Sequence, residues 1–387
     1  MSVQDLFKRH FGYAPTHIVR APGRLELLGG LAEHNEGLAL SAAVDKYVSI
    51  ASAPRRDGQI ELVSSATSFE RFWINELKSN PAAPGANGVK AVLERLRRRG
   101  VNFRGFDAVI HSEIPSEADM GSEAALAAAT LLTLRRLHPF SLTATGLAPP
   151  PSPDARGELP RLGPAEKWHC ARLLQTARSA FQNAAGSLLD MISTLFGKAG
   201  HAMSIDFRFL TVEYAPLMGE AIVVCDAGRT ASPNRDELSL RCESAARQLS
   251  AKSLRSVDLK YLEANKSRLT PVQYDCARYV VGETALVVAA ERALRGDDHR
   301  QFGQYLFRSH ESACEFLKNN PGETDVLVEL ARAHPGCLGS RDLGGMTINL
   351  VAHHQAEVFR QDITRQFKER SGSDLRATVC QIVEGAA

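Results

Sequence analysis

Between Ala21 and Leu40 the chain reads A-P-G-R-L-E-L-L-G-G-L-A-E-H-N-E-G-L-A-L, setting Glu33 beside His34 among Gly23, Gly29, Gly30 and Gly37. A carboxylate and an imidazole are groups that move protons near neutral pH. Titratable side chains gathered in one place are favoured at working sites.

A second stretch, Pro115-Ser116-Glu117-Ala118-Asp119-Met120-Gly121-Ser122-Glu123-Ala124-Ala125-Leu126, runs into an Ala- and Leu-rich helical segment. Where a loop enters a helix, backbone amides and the helix dipole face an anion. Here the loop itself carries anions, Glu117, Asp119 and Glu123. Each like-charge contact at about 4 Å costs on the order of 1 kcal/mol in water and several in a partly dry cleft. Acids near a helix N-terminus are good capping chemistry, and that plainer reading fits the loop better than a bound triphosphate does. A third stretch, Gly339 to Thr347, turns on Gly344 and Gly345. His353-His354 is the sole adjacent histidine pair, and the seven cysteines stand singly with no C-x-x-C, so no metal site is expected.

These stretches need a scaffold, and 387 residues suffice for two domains with a core each. Charged residues are 23% and hydrophobic ones 44%, ordinary values for a globular chain. A net charge of +2 gives no field for nucleic acid, and the run Arg95-Leu96-Arg97-Arg98-Arg99 reads as a solvated helix end. No apolar stretch reaches about 18 residues, so no membrane span is expected. The N-terminus lacks the apolar core of a signal peptide, and dispersed thiols suit a cytoplasmic place.

Periodicity predicts strands over 47–53, 60–64, 106–112, 202–206, 220–225, 347–351 and 375–383. The first two are expected to pair across the turn Arg56-Asp57-Gly58. Helices are expected over 88–99, 122–137, 167–183, 188–196, 236–250, 273–294, 298–317, 323–333 and 356–371. The segment 141–164, with six prolines and three glycines, reads as an exposed loop.

The first stretch resembles the opening motif of the galactokinases, in the wider group with homoserine, mevalonate and phosphomevalonate kinases. That motif reads roughly A-P-G-R-V-N-L-I-G-E-H-T-D-Y-N-x-G; Ala21, Pro22, Gly23, Arg24, Leu27, Gly29, Asn35 and Gly37 match it. Gly30 and Leu31 stand where the family has a sugar-holding Glu-His pair, and Glu33 where it has an Asp. The second stretch is similar to the family's P-x-G-x-G-L-S-S-S-A-A-L, with acids in place of both loop glycines. Gly339–Thr347 resembles G-S-R-M-T-G-A-G-F-G-G-C-T, about four residues shorter. Gly197-Lys198-Ala199-Gly200-His201-Ala202, Cys242-Glu243-Ser244-Ala245-Ala246, Ser309-His310-Glu311-Ser312 and Phe367–Gly372 extend the likeness over nearly the full length, with 141–164 as an insertion. The resemblance makes Asp190 the catalytic carboxylate and Arg24 the arginine beside it. The helix position twelve residues earlier, an Mg²⁺-serving Glu in the family, is Arg178.

The expectations follow. The fold is α/β of the α+β type, a two-domain GHMP-kinase-like architecture with a cleft between residues 1–206 and 207–387. Arg24 and Asp190 are the catalytic pair; Glu33, His34, Asn35, Gly37 and Asp190 bind a sugar or other small polar molecule. Glu117, Asp119, Gly121, Ser122, Glu123, Gly344 and Gly345 form a degenerate nucleotide loop. The acids, Arg178 and the shortened turn predict a chain without ATP-dependent galactokinase activity: a pseudokinase or repurposed ligand-binding protein, with no cofactor. The alternative is an active ATP-dependent sugar-1-kinase of altered specificity, using ATP and Mg²⁺. A structural or regulatory partner in sugar utilisation is a third reading.

Overall fold

The computed structural model describes all residues except 65–68, 83, 116–118, 156, 178, 180–185, 229–234, 319–321 and 387. Among the described residues the first half runs α1 (Val3–Phe11), β1 (His17–Leu28), β2 (Leu38–Pro54), β3 (Gln59–Ser64), β4 (Phe69–Trp73) and α2 (Pro84–Arg98). It continues with β5 (Phe106–Ser112), α3 (Ser122–Leu137), β6 (Ser141–Leu142), β7 (Leu147–Ala148), α4 (Pro164–Ala177), α5 (Leu188–Phe196), β8 (His201–Asp206) and β9 (Thr211–Pro216). The second half runs β10 (Glu220–Asp226), α6 (Arg235–Gln248), α7 (Leu259–Ala264), α8 (Pro271–Arg295), α9 (His299–Ser312) and α10 (Gly322–Ala333). It closes with β11 (Cys337–Asp342), β12 (Met346–Ala352), α11 (Ala356–Ser371) and β13 (Arg376–Cys380).

A seven-stranded sheet has the order β4-β3-β5-β2-β8-β9, with β1 paired to β2; a four-stranded sheet has the order β11-β12-β10-β13. The long strand β2 pairs with β8 near its start and with β5 near its end. The expected hairpin between 47–53 and 60–64 does not form. β5 lies between those strands, antiparallel to β2 and parallel to β3. Arg55 holds the gap open by pairing with Asp57 at 2.9 Å and with Asp107 of β5 at 2.9 Å.

The main core is the apolar side of the large sheet against α2, α3, α4 and α5. Helix α3 is buried along nearly its whole length, from Ala124 to Arg135, so it reads apolar all round rather than on one stripe. Helix α8 begins with a capping box, Thr270 and Gln273, and a proline in its first turn. The segment 141–164 is not wholly an exposed loop: β6 and β7 pair, Leu159 and Leu162 are buried, and Arg135 donates to the Pro160 carbonyl. Its prolines break regular structure without keeping it off the core. The boundary expected at 206 falls inside the β8–β9 hairpin, and the change of sheet comes between Pro216 and Glu220. No helix among the described residues is long and apolar enough to cross a membrane.

Candidate functional site

Arg24 lies in β1 and is buried to 2% exposure. Two glycines make room for it. The Arg24 amide donates to the Met120 carbonyl at 2.8 Å, and a Cβ on Gly23 would meet that same oxygen. Gly121 takes a left-handed φ of +72°, and a Cβ there would run into the Arg24 Cγ. The guanidinium therefore passes directly beneath the start of α3.

It makes four hydrogen bonds, all to Asp190 and Asp119. Nε donates to Asp190 Oδ1 at 2.8 Å and Nη2 to Asp190 Oδ2 at 3.0 Å. Nη2 also donates to Asp119 Oδ1 at 2.7 Å, and Nη1 to the Asp119 carbonyl at 2.6 Å. Burial works against the guanidinium charge, but Asp119 and then Asp190 more than offset it, so the Arg24 pKa is raised. Each Asp190 oxygen keeps a second lone pair, and the Asp190 side chain is 18% exposed.

Asp190 is set by the first turn of α5, where Ser187 is the N-cap and accepts from the Asp190 amide at 3.2 Å. Glu33, in a 3₁₀ turn over Glu33–Asn35, reaches the same helix end. Its carboxylate accepts from the Leu188 amide at 2.9 Å, the Leu189 amide at 3.3 Å, Ser187 Oγ at 3.1 Å and Gln175 Nε2 at 3.0 Å. The extra methylene over an aspartate is used for that reach. Glu33 thus braces the helix that carries Asp190. Asn35 is buried and donates to the Leu31 carbonyl at 2.9 Å, and the Gly37 amide donates to Ala32 at 2.8 Å. Both shape the turn, while His34 points to solvent.

Gly121 is the N-cap of α3 and supplies no side-chain cap, and the first turn of a helix directs its backbone amides toward an anion. Ser122 and Glu123 line a cavity of about 180 Å³ whose walls include Leu62, Ile110 and Leu126. Of the three acids expected to repel a triphosphate, Asp119 is paired with Arg24 rather than free, and Glu123 sits exposed on the first turn of α3. Glu117 and Arg178, the other residues counted against a nucleotide, lie outside the described residues. Gly344 and Gly345, at φ +73° and +108°, form the β11–β12 turn and donate to Asp342. They join the site through their strand: Arg341 donates to the Leu27 carbonyl of β1 at 3.1 Å.

Sequence reasoning missed two residues here. Glu283 of α8, 1% exposed, accepts from the Gly29 amide at 2.9 Å and the Gly30 amide at 3.2 Å, and lies 3.6 Å from Arg341. Tyr279, one helical turn earlier, puts its hydroxyl where a Cβ on Gly30 would stand. The one available signal was a Tyr and a Glu four apart among the valines of an apolar helix face.

Comparison with known proteins agrees with this arrangement. Residues 5–54 match the galactokinase galactose-binding signature and residues 87–149 the GHMP kinases N terminal domain. A galactokinase of Chloroflexus aurantiacus is 30% identical over 98% of this chain and 95% of its own. The Bos taurus galactokinase is 31% identical over 93% of this chain and 90% of its own. The galactokinase of Lactococcus lactis complexed with galactose superposes with a TM-score of 0.84 at 22% identity, covering 99% of this chain and 98% of that one. A Methanococcus jannaschii mevalonate kinase superposes at 0.60 over 95% of this chain and 98% of its own. The mixed helix and strand architecture is that of the GHMP kinases. Full-length relatives named galactokinase overturn the expectation of a pseudokinase with degenerate ATP binding. That expectation took Asp119 for free charge, and it took Gly30 for a lost contact.

Proposed function

Because the chain belongs to the galactokinase family, we propose that it is an ATP-dependent kinase acting on a hydroxyl of galactose or of a closely similar monosaccharide. The carrying observation is the Arg24–Asp190 chelate beneath the uncapped start of α3. A base and an open anion cradle adjoin, as phosphoryl transfer to an alcohol requires.

The residues present suit the nucleotide. The first-turn amides of α3, with Ser122, take the phosphates; Glu123 offers hard oxygen toward magnesium; the apolar wall of Leu62, Ile110 and Leu126 takes the base. When bound, MgATP supplies the phosphoryl group and spreads its charge. Asp190 orients the sugar hydroxyl and accepts its proton on a carboxylate oxygen. Arg24 holds that carboxylate in place through two hydrogen bonds, which fixes the attacking oxygen before transfer. Glu33 positions Asp190 through α5. Near Gly30, the Tyr279 hydroxyl supplies a polar group that residues 30 and 31 lack. Its different origin favours a sugar range shifted from that of relatives with an acid at that point. The two sheets, read as two domains, flank this site, and seven free cysteines suit a cytoplasmic place.

The test is coupled detection of ADP release with a panel of aldohexoses, galactose first. Turnover on the order of 1–100 s⁻¹ with one of them, lost in Asp190→Asn, is the expected result. No ADP release above hydrolysis with any sugar defeats the reading.

A further inference from the structure

Outside the cleft, three side chains from two helices converge on one point. His310 lies in α9, and Cys314 follows four residues later in a π turn over Ala313–Leu317. Asp325 stands in the first turn of α10. Cys314 Sγ is 3.6 Å from His310 Nε2 and 3.5 Å from Asp325 Oδ1, and His310 Nε2 is 3.5 Å from Asp325 Oδ1.

These are the edges of a tetrahedral face. Zinc bonds of about 2.3 Å to sulfur, 2.05 Å to nitrogen and 2.1 Å to oxygen at tetrahedral angles place sulfur about 3.6 Å from each partner, and nitrogen about 3.4 Å from oxygen. The observed triangle agrees with each edge to about 0.1 Å. A single spacing four apart on a helix gives one such edge; the third ligand arrives from a separate element at the same spacing. π turns recur where a helix must re-aim a side chain for function. The nearest cations do not compete, because Arg332 pairs with Glu311 at 2.6 Å and Arg341 faces Glu283.

We infer that His310, Cys314 and Asp325 form a zinc site separate from the Arg24–Asp190 centre. Thiolate and imidazole with one carboxylate select Zn²⁺ over Mg²⁺ or Ca²⁺. The Cys314 proton leaves to solvent on binding, and water fills the fourth position on the side where Asp325 is 47% exposed. The ion ties the end of α9 to the start of α10, the two helices packed on β11. It thereby braces the strand that carries Arg341 and Asp342. The inference stands whether or not the chain phosphorylates a sugar.

The test uses the reduced full chain, stripped with chelator and dialysed against buffered Zn²⁺ or Co²⁺. One equivalent of Zn²⁺ per chain is expected, and the Co²⁺ form should show tetrahedral d–d bands with thiolate-to-metal charge transfer. Cys314→Ser should remove the charge-transfer band and weaken Zn²⁺ binding by at least about tenfold. Should that variant misfold, the partly exposed Asp325→Asn gives the same comparison, and the unmodified chain's Co²⁺ spectrum needs no variant. Substoichiometric zinc, a Co²⁺ spectrum without the thiolate band, or undiminished binding by Cys314→Ser would each overturn the site. The last outcome would assign the ion to another group, such as His353-His354.

Discussion

In the proposed site, the phosphate end at Gly121–Glu123 and the sugar end at Gly30–Glu33 both depart from the motifs they resemble, and the fold compensates each differently. At the phosphate end the compensation is electrostatic. Asp119 is neutralised by the same buried arginine that holds Asp190, so an acid that would repel a phosphate becomes part of the clamp on the base. At the sugar end the compensation is steric and comes from far along the chain. Tyr279 of α8 occupies the ground that Gly30 vacates, and Glu283 of the same helix accepts from the Gly29 and Gly30 amides. A side chain missing from a motif is therefore not missing from the site, and the two cases separate under mutation.

The largest effect falls where both ends meet. Asp190→Asn keeps the shape but removes the proton acceptor, so kcat should fall by about 10²–10⁴-fold. The fold should survive, because Asp119 still pairs with Arg24. Steady-state kinetics with a parallel thermal melt checks both parts; a kcat within threefold of the parent would leave Asp190 a purely structural ion-pair member.

Glu33→Ala comes next. Leu188 and Leu189 lose an acceptor while Ser187 still caps α5, so a loss of about 1–2 kcal/mol is expected. If the cap positions Asp190, kcat falls along with stability; if Glu33 touches sugar, KM rises and kcat holds. Denaturant titration together with the kcat and KM split separates the two. The fall in kcat is the expected result.

Tyr279→Phe tests the steric compensation alone. Losing one hydroxyl contact to the sugar is worth about 1 kcal/mol, or roughly fivefold in KM, with kcat unchanged. An unaltered KM for every accepted sugar would place the Tyr279 hydroxyl out of ligand reach and leave Gly30 without its substitute.

What the sequence disclosed and what it hid divides along the same line. Helices 122–137 and 188–196 were legible to the residue, because Ala- and Leu-rich runs after a capping serine or glycine encode themselves locally. β1 went unread, since Pro22 and Gly23 in mid-strand argue against a strand; the register indeed slips between them, and that irregularity aims Arg24 at α3. The pairing of 60–64 was misread because β5, more than forty residues later, supplies the partner. The Arg24–Asp190 pair came from motif resemblance, and its geometry agrees. Asp119 was read as a free charge because its partner lies 95 residues away. Nothing near Gly30 in sequence points to Tyr279. Local propensity is written in the chain, whereas compensation is written in contacts.

The smallest effect probes how far along α3 the phosphate end depends. The helix starts at the open cradle and ends at His138, whose Nε2 accepts from the Arg104 amide at 3.2 Å. Burial, then the Arg104 charge, lowers the His138 pKa below its usual 6.5. The unfolded chain therefore binds the proton first as pH falls, so this contribution is complete above about pH 6.5 and is lost as pH drops through that value. His17 is shifted in the same direction by burial and then Arg136, so it adds a parallel slope. His138→Gln keeps an acceptor for Arg104 and removes one titration. Unfolding free energy measured by denaturant between about pH 6.5 and 5 should then vary less steeply than in the parent, with the His17 slope remaining. The KM for ATP should be the same in both proteins, since the cradle is fixed locally by Gly23, Met120 and Arg24. A KM that follows the stability slope would show instead that the phosphate end is held from the far end of α3, and the contrast between a locally clamped end and a remotely supplied one would fail.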